Sequence, residues 1–166
     1  GIRISDILTL KWKHITDEKI SIRMRKTEKL LSIPINDYVR AVLDRRRCAV
    51  ENNGGKITSE KYVFNILKVD VDEVSAQDAL NAISSATAVI NKQLKKIAKK
   101  TGIDKNLSTH CARHSYATAL LTNNIPLPVI KEMLGHSDIK VTQIYAKVVD
   151  SKRNEVVECL NKVYHG

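Results

Sequence analysis

The sequence predicts an α+β domain that is mostly helical and carries one small antiparallel sheet. At 166 residues, 43% of them apolar, the chain fits one domain and can supply a core. Short runs rich in β-branched residues are confined to its first 35 positions. Most of the remainder has apolar residues at helical spacing between capping residues, which predicts helices.

The first 51 residues predict a helix, three strands and a second helix. Residues 4–10 (ISDILTL) have apolar side chains at helical spacing. Three short runs with turns at 16–18 and 25–29 follow, and they predict a three-stranded antiparallel sheet: 12–15, 19–24 and 30–35. Asn36 can cap a helix that runs to residue 51, whose apolar stripe would be Tyr38, Val39, Val42 and Leu43.

The remaining elements are helical. Residues 62–66 form a short apolar run of undecided type, and residues 75–100 predict one helix or two. This stretch ends in lysines that form either a solvated face or a surface along a phosphate backbone, namely Lys92, Lys95, Lys96, Lys99 and Lys100. Further helices are predicted from Ser108 or Thr109 to about 123, from Pro126 to Gly135, and over 138–145 and 151–164.

Charge favours a polyanionic partner. The chain has 28 Lys and Arg against 18 Asp and Glu, a net charge of +10, which favours nucleic acid. Aromatic residues are only 4%, so repeated base stacking is not expected. Double-stranded DNA held through its phosphates fits better.

Cysteine usage and hydropathy predict a location inside the cell. Three scattered cysteines without a CxxC pair are typical of a reducing compartment: Cys48, Cys111 and Cys159. No apolar run approaches the roughly 18 residues of a membrane span, and no signal-peptide pattern is present. We therefore expect a cytoplasmic protein without a membrane partner.

Two basic clusters and one tyrosine form the most informative motif. The sequences HCARH at 110–114 and LGH at 134–136 precede Tyr145, which lies nine residues after His136. A tyrosine hydroxyl, with a free pKa of roughly 10, is a poor nucleophile at neutral pH. Neighbouring arginines and histidines would help to deprotonate it and to stabilise charge on phosphorus. The motif predicts attack by tyrosine on a phosphodiester.

A metal site is the alternative interpretation of the same histidines. His110 and His114 lie four residues apart on one helical face, and His136 could be a third ligand. Against this, Cys111 stands where a zinc protease would place its glutamate, and Arg113 would repel the ion.

These residues resemble the catalytic domain of the tyrosine recombinases, the phage-integrase family of site-specific DNA recombinases. The opening GIRISDILTL resembles the first arginine box, with Arg3 as the catalytic arginine and Asp6 as its acidic neighbour. Lys26, in the turn before LSIP at 31–34, resembles the family's β-hairpin lysine. HCARH resembles the HxxR box, and LGHS with TQIY resembles the last histidine and the nucleophilic tyrosine. The resemblance extends from residue 1 to about 148.

The resemblance implies a covalent mechanism. Tyr145 would attack the scissile phosphate and become joined to phosphorus, which preserves the phosphodiester energy for rejoining. Arg3 and Arg113 would donate forked hydrogen bonds to the nonbridging oxygens.

Three further residues have implied roles. Lys26 would protonate the departing deoxyribose oxygen, His110 would take the tyrosine proton, and His136 would bond a nonbridging oxygen. The resemblance implies neither a metal ion nor a cofactor.

The resemblance also implies duplex DNA as partner, a DNA-associated location in the bacterial cytoplasm, and a synaptic tetramer. The helix after Tyr145 would pack on its own or a neighbouring protomer through Val156, Val157, Leu160 and Val163. Integration of a mobile element is the role we favour. The rivals are a type IB topoisomerase and a noncatalytic DNA-binding regulator, and the intact arginine pair and tyrosine argue against the latter.

Three features depart from the family pattern. Ala112 stands where the family often has leucine, and we expect it to be a smaller core residue. The stretch 68–88 is longer than the family pattern leads us to expect, and it would be a helical insertion or an added surface helix. Because Gly1 lies inside the first arginine box, we expect residues 1–166 to be a catalytic domain truncated at its N-terminus, with a separate N-terminal DNA-binding domain absent.

Overall fold

A computed structural model describes residues 1–136 together with residues 138, 140 and 142. The chain divides into two compact units. The N-terminal unit is residues 2–110, and the C-terminal unit is residues 111–166 together with Gly1. That residues 1–166 act as one catalytic domain stays a prediction.

Along the chain, the N-terminal unit has one helix before a small sheet and two helices after it. A 3-10 turn at Trp12–His14 follows the first helix. The elements are α1 (Ile4–Leu8), β1 (Lys19–Arg23), β2 (Leu30–Pro34), α2 (Asp37–Asn52) and α3 (Ala76–Lys100).

The sheet has two described strands, so the prediction of three was wrong. β1 and β2 pair antiparallel, with Ile22 opposite Leu31. Residues 12–14 form the 3-10 turn instead, because the backbone N–H of Lys11 donates to His14 Nδ1 at 3.1 Å and that of His14 donates back to the Lys11 carbonyl at 3.0 Å. These local hydrogen bonds fold the segment into a turn. Of the predicted strand 12–15, only Ile15 pairs with β1, through an isolated bridge to Ile20.

The N-terminal unit has two apolar clusters. One packs around the sheet and comprises Leu10, Trp12, Ile20, Ile22, Met24, Leu31, Leu43 and Val63. The other packs α1 against α3 and comprises Leu8, Leu67, Val71, Ala79 and Ile83. The stripe predicted on α2 is only partly a core face, since Tyr38 is 86% exposed while Leu43 is buried.

The long helices begin at the expected caps. Asn36 Oδ1 accepts the Val39 N–H at 3.0 Å, and Ser75 Oγ accepts the Asp78 N–H at 3.1 Å. α3 is a single helix of 25 residues, and its five C-terminal lysines are all exposed. The run 62–66 is irregular, and the stretch 68–88 is a loop followed by the first half of α3.

The C-terminal unit packs α4 (Thr109–Thr122), whose first two residues lie in the N-terminal unit, against α5 (Leu127–Leu134). Their shared core is Ala117, Ile130 and Leu134. α5 begins after Pro126 and ends at Gly135, which has φ +63°. In this left-handed conformation the Gly135 and His136 N–H groups return to the Glu132 and Lys131 carbonyls, a glycine-terminated helix end. The helices predicted over 138–145 and 151–164 lie outside the described residues, apart from three isolated positions.

Across the residues that the structure describes, no helix combines the length and hydropathy needed to cross a membrane.

Candidate active site

Arg3 lies at the start of α1. It is half-buried, and its backbone carbonyl accepts the N–H groups of Asp6 and Ile7, both at 3.0 Å. Its guanidinium Nη1 contacts the buried Met24 Sδ at 3.3 Å. Met24 directly follows β1, so the Arg3 side chain lies beside the turn that connects the two strands.

Asp6 ties the same helix to the same turn. Its carboxylate is 3% exposed, and Oδ1 accepts the backbone N–H of Arg25 at 3.0 Å. Arg25 precedes Lys26 in the sequence. The structure therefore brings the Arg3 helix and the backbone that carries Lys26 together through two independent contacts.

Lys26 itself is exposed at the tip of the turn. The turn is closed by hydrogen bonds from the Met24 N–H to the Lys29 carbonyl and from the Glu28 N–H to the Met24 carbonyl, both 2.9 Å. Glu28 has φ +54°, an uncommon left-handed conformation for a residue with a side chain. An ordered backbone with an outward lysine is suited to presenting an ammonium group to a ligand.

An ion-pair network around a buried lysine, which sequence reasoning missed, lies just beyond α1. Lys11 is 5% exposed, and its ammonium donates to Asp72 Oδ2 at 2.8 Å and to Asp70 Oδ2 at 3.1 Å. The Tyr62 hydroxyl donates to Asp70 Oδ1 at 2.8 Å. The pair of carboxylates, Asp70 and Asp72, was a signal in the sequence. Their partner Lys11, however, lies about sixty positions earlier in the chain.

The network shifts the pKa values of its members. Burial acts to raise the pKa of Asp70, but hydrogen bonds from the Asp72 N–H, Tyr62 and Lys11 outweigh it, and the pKa is lowered. Burial and the neighbouring Asp70 raise the pKa of Tyr62 to about 12. The Tyr62 hydroxyl donates to Asp70 and accepts the Val71 N–H at 3.0 Å, and these two bonds anchor the loop.

His110 is exposed on the first turn of α4. His114 is half-buried one turn later. Among the described residues, no group of three His, Cys, Asp or Glu side chains could hold a metal ion. The metal alternative thus gains no support from the part of the chain that includes His110, His114 and His136.

Arg113 is a buried anchor of the C-terminal unit. Its side chain is 6% exposed, and Nη2 donates to the Leu134 carbonyl at 2.6 Å, while Nη1 donates to the Gly1 carbonyl. Leu134 is the last residue of α5, where the helix dipole favours a cation. Bonds to these two carbonyls orient the guanidinium, and a preoriented arginine suits recognition of an anion.

His136 lies two residues after Leu134 and is also buried, 7% exposed. Its Nδ1 lies 2.9 Å from Oγ1 of Thr142, a side chain with no exposed surface. Sequence reasoning missed Thr142, although its place three residues before Tyr145 was a usable signal. Within the C-terminal unit, Arg113 and His136 are thus both held at the end of α5.

Ala112 is exposed on α4, so the prediction that it is a small core residue was wrong. It neighbours the buried Arg113 in sequence and therefore faces another side of the helix.

Tyr145, the predicted nucleophile, lies outside the described residues.

A model of the phage integrase family matches residues 1–152. That span contains all six candidate residues, from Arg3 to Tyr145. The chain belongs to the phage integrase family. The resemblance identified from the motifs is therefore confirmed.

The relatives are tyrosine recombinases. Tyrosine recombinase XerA of Saccharolobus solfataricus is 30% identical over 162 residues, 97% of this chain and 47% of that protein. Tyrosine recombinase XerD of Halalkalibacterium halodurans is 49% identical over 65 residues, 39% of this chain and 22% of that protein. The chain spans about half the length, or less, of these curated relatives.

Solved structures confirm the fold. A crystal structure of XerA recombinase is similar over 100% of this chain and 54% of its own, with a TM-score of 0.67 and 23% identity. XerH site-specific recombinase, bound to a palindromic difH substrate in a post-cleavage complex, is similar over 95% of this chain and 41% of its own, with a TM-score of 0.66 and 22% identity. The predicted recombinase catalytic fold is thus confirmed, with two described strands in place of three.

Proposed function

We propose that this chain is the catalytic part of a site-specific DNA recombinase that cleaves and rejoins duplex DNA through a 3′-phosphotyrosine intermediate on Tyr145. The observation that carries the proposal is the family match over 1–152, which includes all six candidate residues in the expected order. The buried, carbonyl-anchored Arg113 and the linkage of α1 to the Lys26 turn support it.

Arg3 and Arg113 stabilise the transition state. As Tyr145 attacks, negative charge builds on the nonbridging oxygens of the scissile phosphate, and preoriented guanidinium groups offset it. Arg113 suits this role because burial and two carbonyl bonds restrict its rotamers before the substrate arrives. Arginine also stays charged at any working pH.

Proton transfer is divided among three side chains. Lys26, exposed on its ordered turn, protonates the departing deoxyribose oxygen as a general acid. His110, exposed on α4, accepts the tyrosine proton, and His136 donates a hydrogen bond to a nonbridging oxygen. Charge stabilisation by two arginines gives the reaction no need for a metal ion or a cofactor.

The partner in this proposal is double-stranded DNA, bound in the bacterial cytoplasm, and the active assembly is a tetramer on DNA. The net charge of +10 and the exposed lysines of α3 support binding through phosphates. Tetramer formation follows the family pattern, and the residues proposed to exchange between protomers lie outside the described part. Chemical cross-linking with and without duplex DNA measures this assembly.

The decisive experiment is covalent trapping. The chain is incubated with a library of nicked duplexes, in which cleavage releases a short strand and prevents rejoining, and protein–DNA adducts are separated under denaturing conditions. We expect an adduct with the native chain and with Tyr38→Phe, a control at an 86% exposed tyrosine. Tyr145→Phe should bind duplex DNA normally and form none. An adduct that survives Tyr145→Phe would identify another nucleophile and refute the assignment.

A further inference from the structure

The hydrogen bond between His136 and Thr142 lies in a buried environment. Both side chains are less than a tenth exposed, and the Nδ1–Oγ1 distance is 2.9 Å. The backbone of His136 is held independently, because its N–H donates to the Lys131 carbonyl at the end of α5. One bond therefore holds the backbone of His136, and the Thr142 hydroxyl contacts the ring at Nδ1.

The direction of this bond decides what the other ring nitrogen can do. A neutral imidazole has one N–H, so one nitrogen donates and the other accepts. If the threonine donates its proton to Nδ1, the ring proton resides on Nε2. If Nδ1 donates to the threonine instead, Nε2 presents a lone pair.

We propose that Thr142 is a positioning residue that donates its hydroxyl proton to His136 Nδ1 and thereby keeps the ring proton on Nε2. The assignment rests on the proposed function, in which His136 donates a hydrogen bond to a phosphate oxygen. Phosphate oxygens only accept hydrogen bonds, so an Nε2 lone pair facing them would be repulsive. A hydroxyl that selects the Nε2-protonated tautomer therefore prepares the ring before DNA arrives.

Threonine suits this task better than a freely rotating alcohol. Its β-branched side chain restricts χ1, so the hydroxyl is placed with little loss of entropy. The whole Thr142 side chain, including its methyl group, has no exposed surface. The same bond joins His136 to a residue three positions before Tyr145.

Nitrogen NMR tests the tautomer directly. The chain has five histidines, and the His136 ring signals are identified by their loss in His136→Gln. At about pH 8.5, two units above the ordinary histidine pKa, we expect Nε2 to carry the proton in the native chain. Thr142→Val keeps the shape and removes the hydroxyl, so its His136 should show a mixture of tautomers, and Thr142→Ser should restore the native pattern.

The covalent-trapping rate provides the functional measurement. Thr142→Val should slow adduct formation about tenfold, the value of one buried hydrogen bond, while Thr142→Ser should stay within about twofold. The matched control is Thr87→Val in α3, which removes a hydroxyl bond to the Ile83 carbonyl and should change neither the tautomer nor the rate.

Three results would overturn the assignment: a proton on Nδ1 in the native chain, an unchanged tautomer in Thr142→Val, or a changed tautomer with an unchanged rate. Absence of any adduct with the native chain would instead count against the proposed function, and the NMR result would then decide the role of Thr142 alone.

Discussion

Replacement of Asp6 tests whether the link between α1 and the Lys26 turn is both stabilising and functional. The Asp6 carboxylate is 3% exposed and accepts the Arg25 N–H at 3.0 Å. A hydrogen bond to a charged acceptor is worth about 1.5–3 kcal/mol. Asp6→Ala should therefore lower the free energy of unfolding by about 2–3 kcal/mol, whereas Asp6→Asn, which retains an acceptor oxygen, should lower it by about 1 kcal/mol.

Urea unfolding followed by tryptophan fluorescence measures this change, because Trp12 is the chain's single tryptophan and is buried in the N-terminal unit. Covalent trapping measures the functional part. With the backbone of Arg25 released, Lys26 should be misplaced, and adduct formation by Asp6→Ala should fall at least about tenfold, since small displacements of catalytic groups are costly.

Leu8→Ala is the matched control on the same helix. Leu8 is fully buried but packs in the cluster between α1 and α3, so its truncation should cost about 2–5 kcal/mol without loosening the turn. Under conditions where both variants are folded, only Asp6→Ala should lose cleavage rate. An Asp6→Ala variant with native stability, or with the same rate as Leu8→Ala, would refute the reasoning.

Three further predictions concern the supports of the site. Lys11→Met should lower the free energy of unfolding by about 2–3 kcal/mol in urea unfolding. This loss is smaller than that for a fully buried ion pair because Asp70 and Asp72 are partly exposed. A loss under about 0.5 kcal/mol would contradict the prediction. Since the pKa of Asp70 is lowered by folding, its stabilisation should be complete above its unfolded pKa of about 3.9 and be lost as pH falls through the folded value. Unfolding free energies measured between pH 2 and 6 should show this slope in the native chain and a weaker one in Lys11→Met. Gly135→Ala should cost about 1–2 kcal/mol, because φ is +63° there; thermal unfolding with an unchanged midpoint would exclude that strain.

Local signals in the sequence predicted most of the helices and their ends. Asn36 caps α2 and Gly135 ends α5 as expected, because a cap depends on hydrogen bonds within a few residues. The two strands 19–24 and 30–35 were also identified, within a residue at their ends. The run 12–15 was misassigned as a strand because four residues carry too little periodicity to distinguish a strand from a curled turn.

The sequence by itself determined the family and the chemical types of the candidate residues, since these depend on the identity and order of side chains. Only the tertiary structure decided which groups hold them: Asp6 with Arg25, Lys11 with Asp70 and Asp72, and Arg113 with the last carbonyl of α5. These partners lie between 19 and 61 residues apart in the chain. Contacts at such separations are selected by how buried apolar faces pack together, and a one-dimensional pattern does not contain that information.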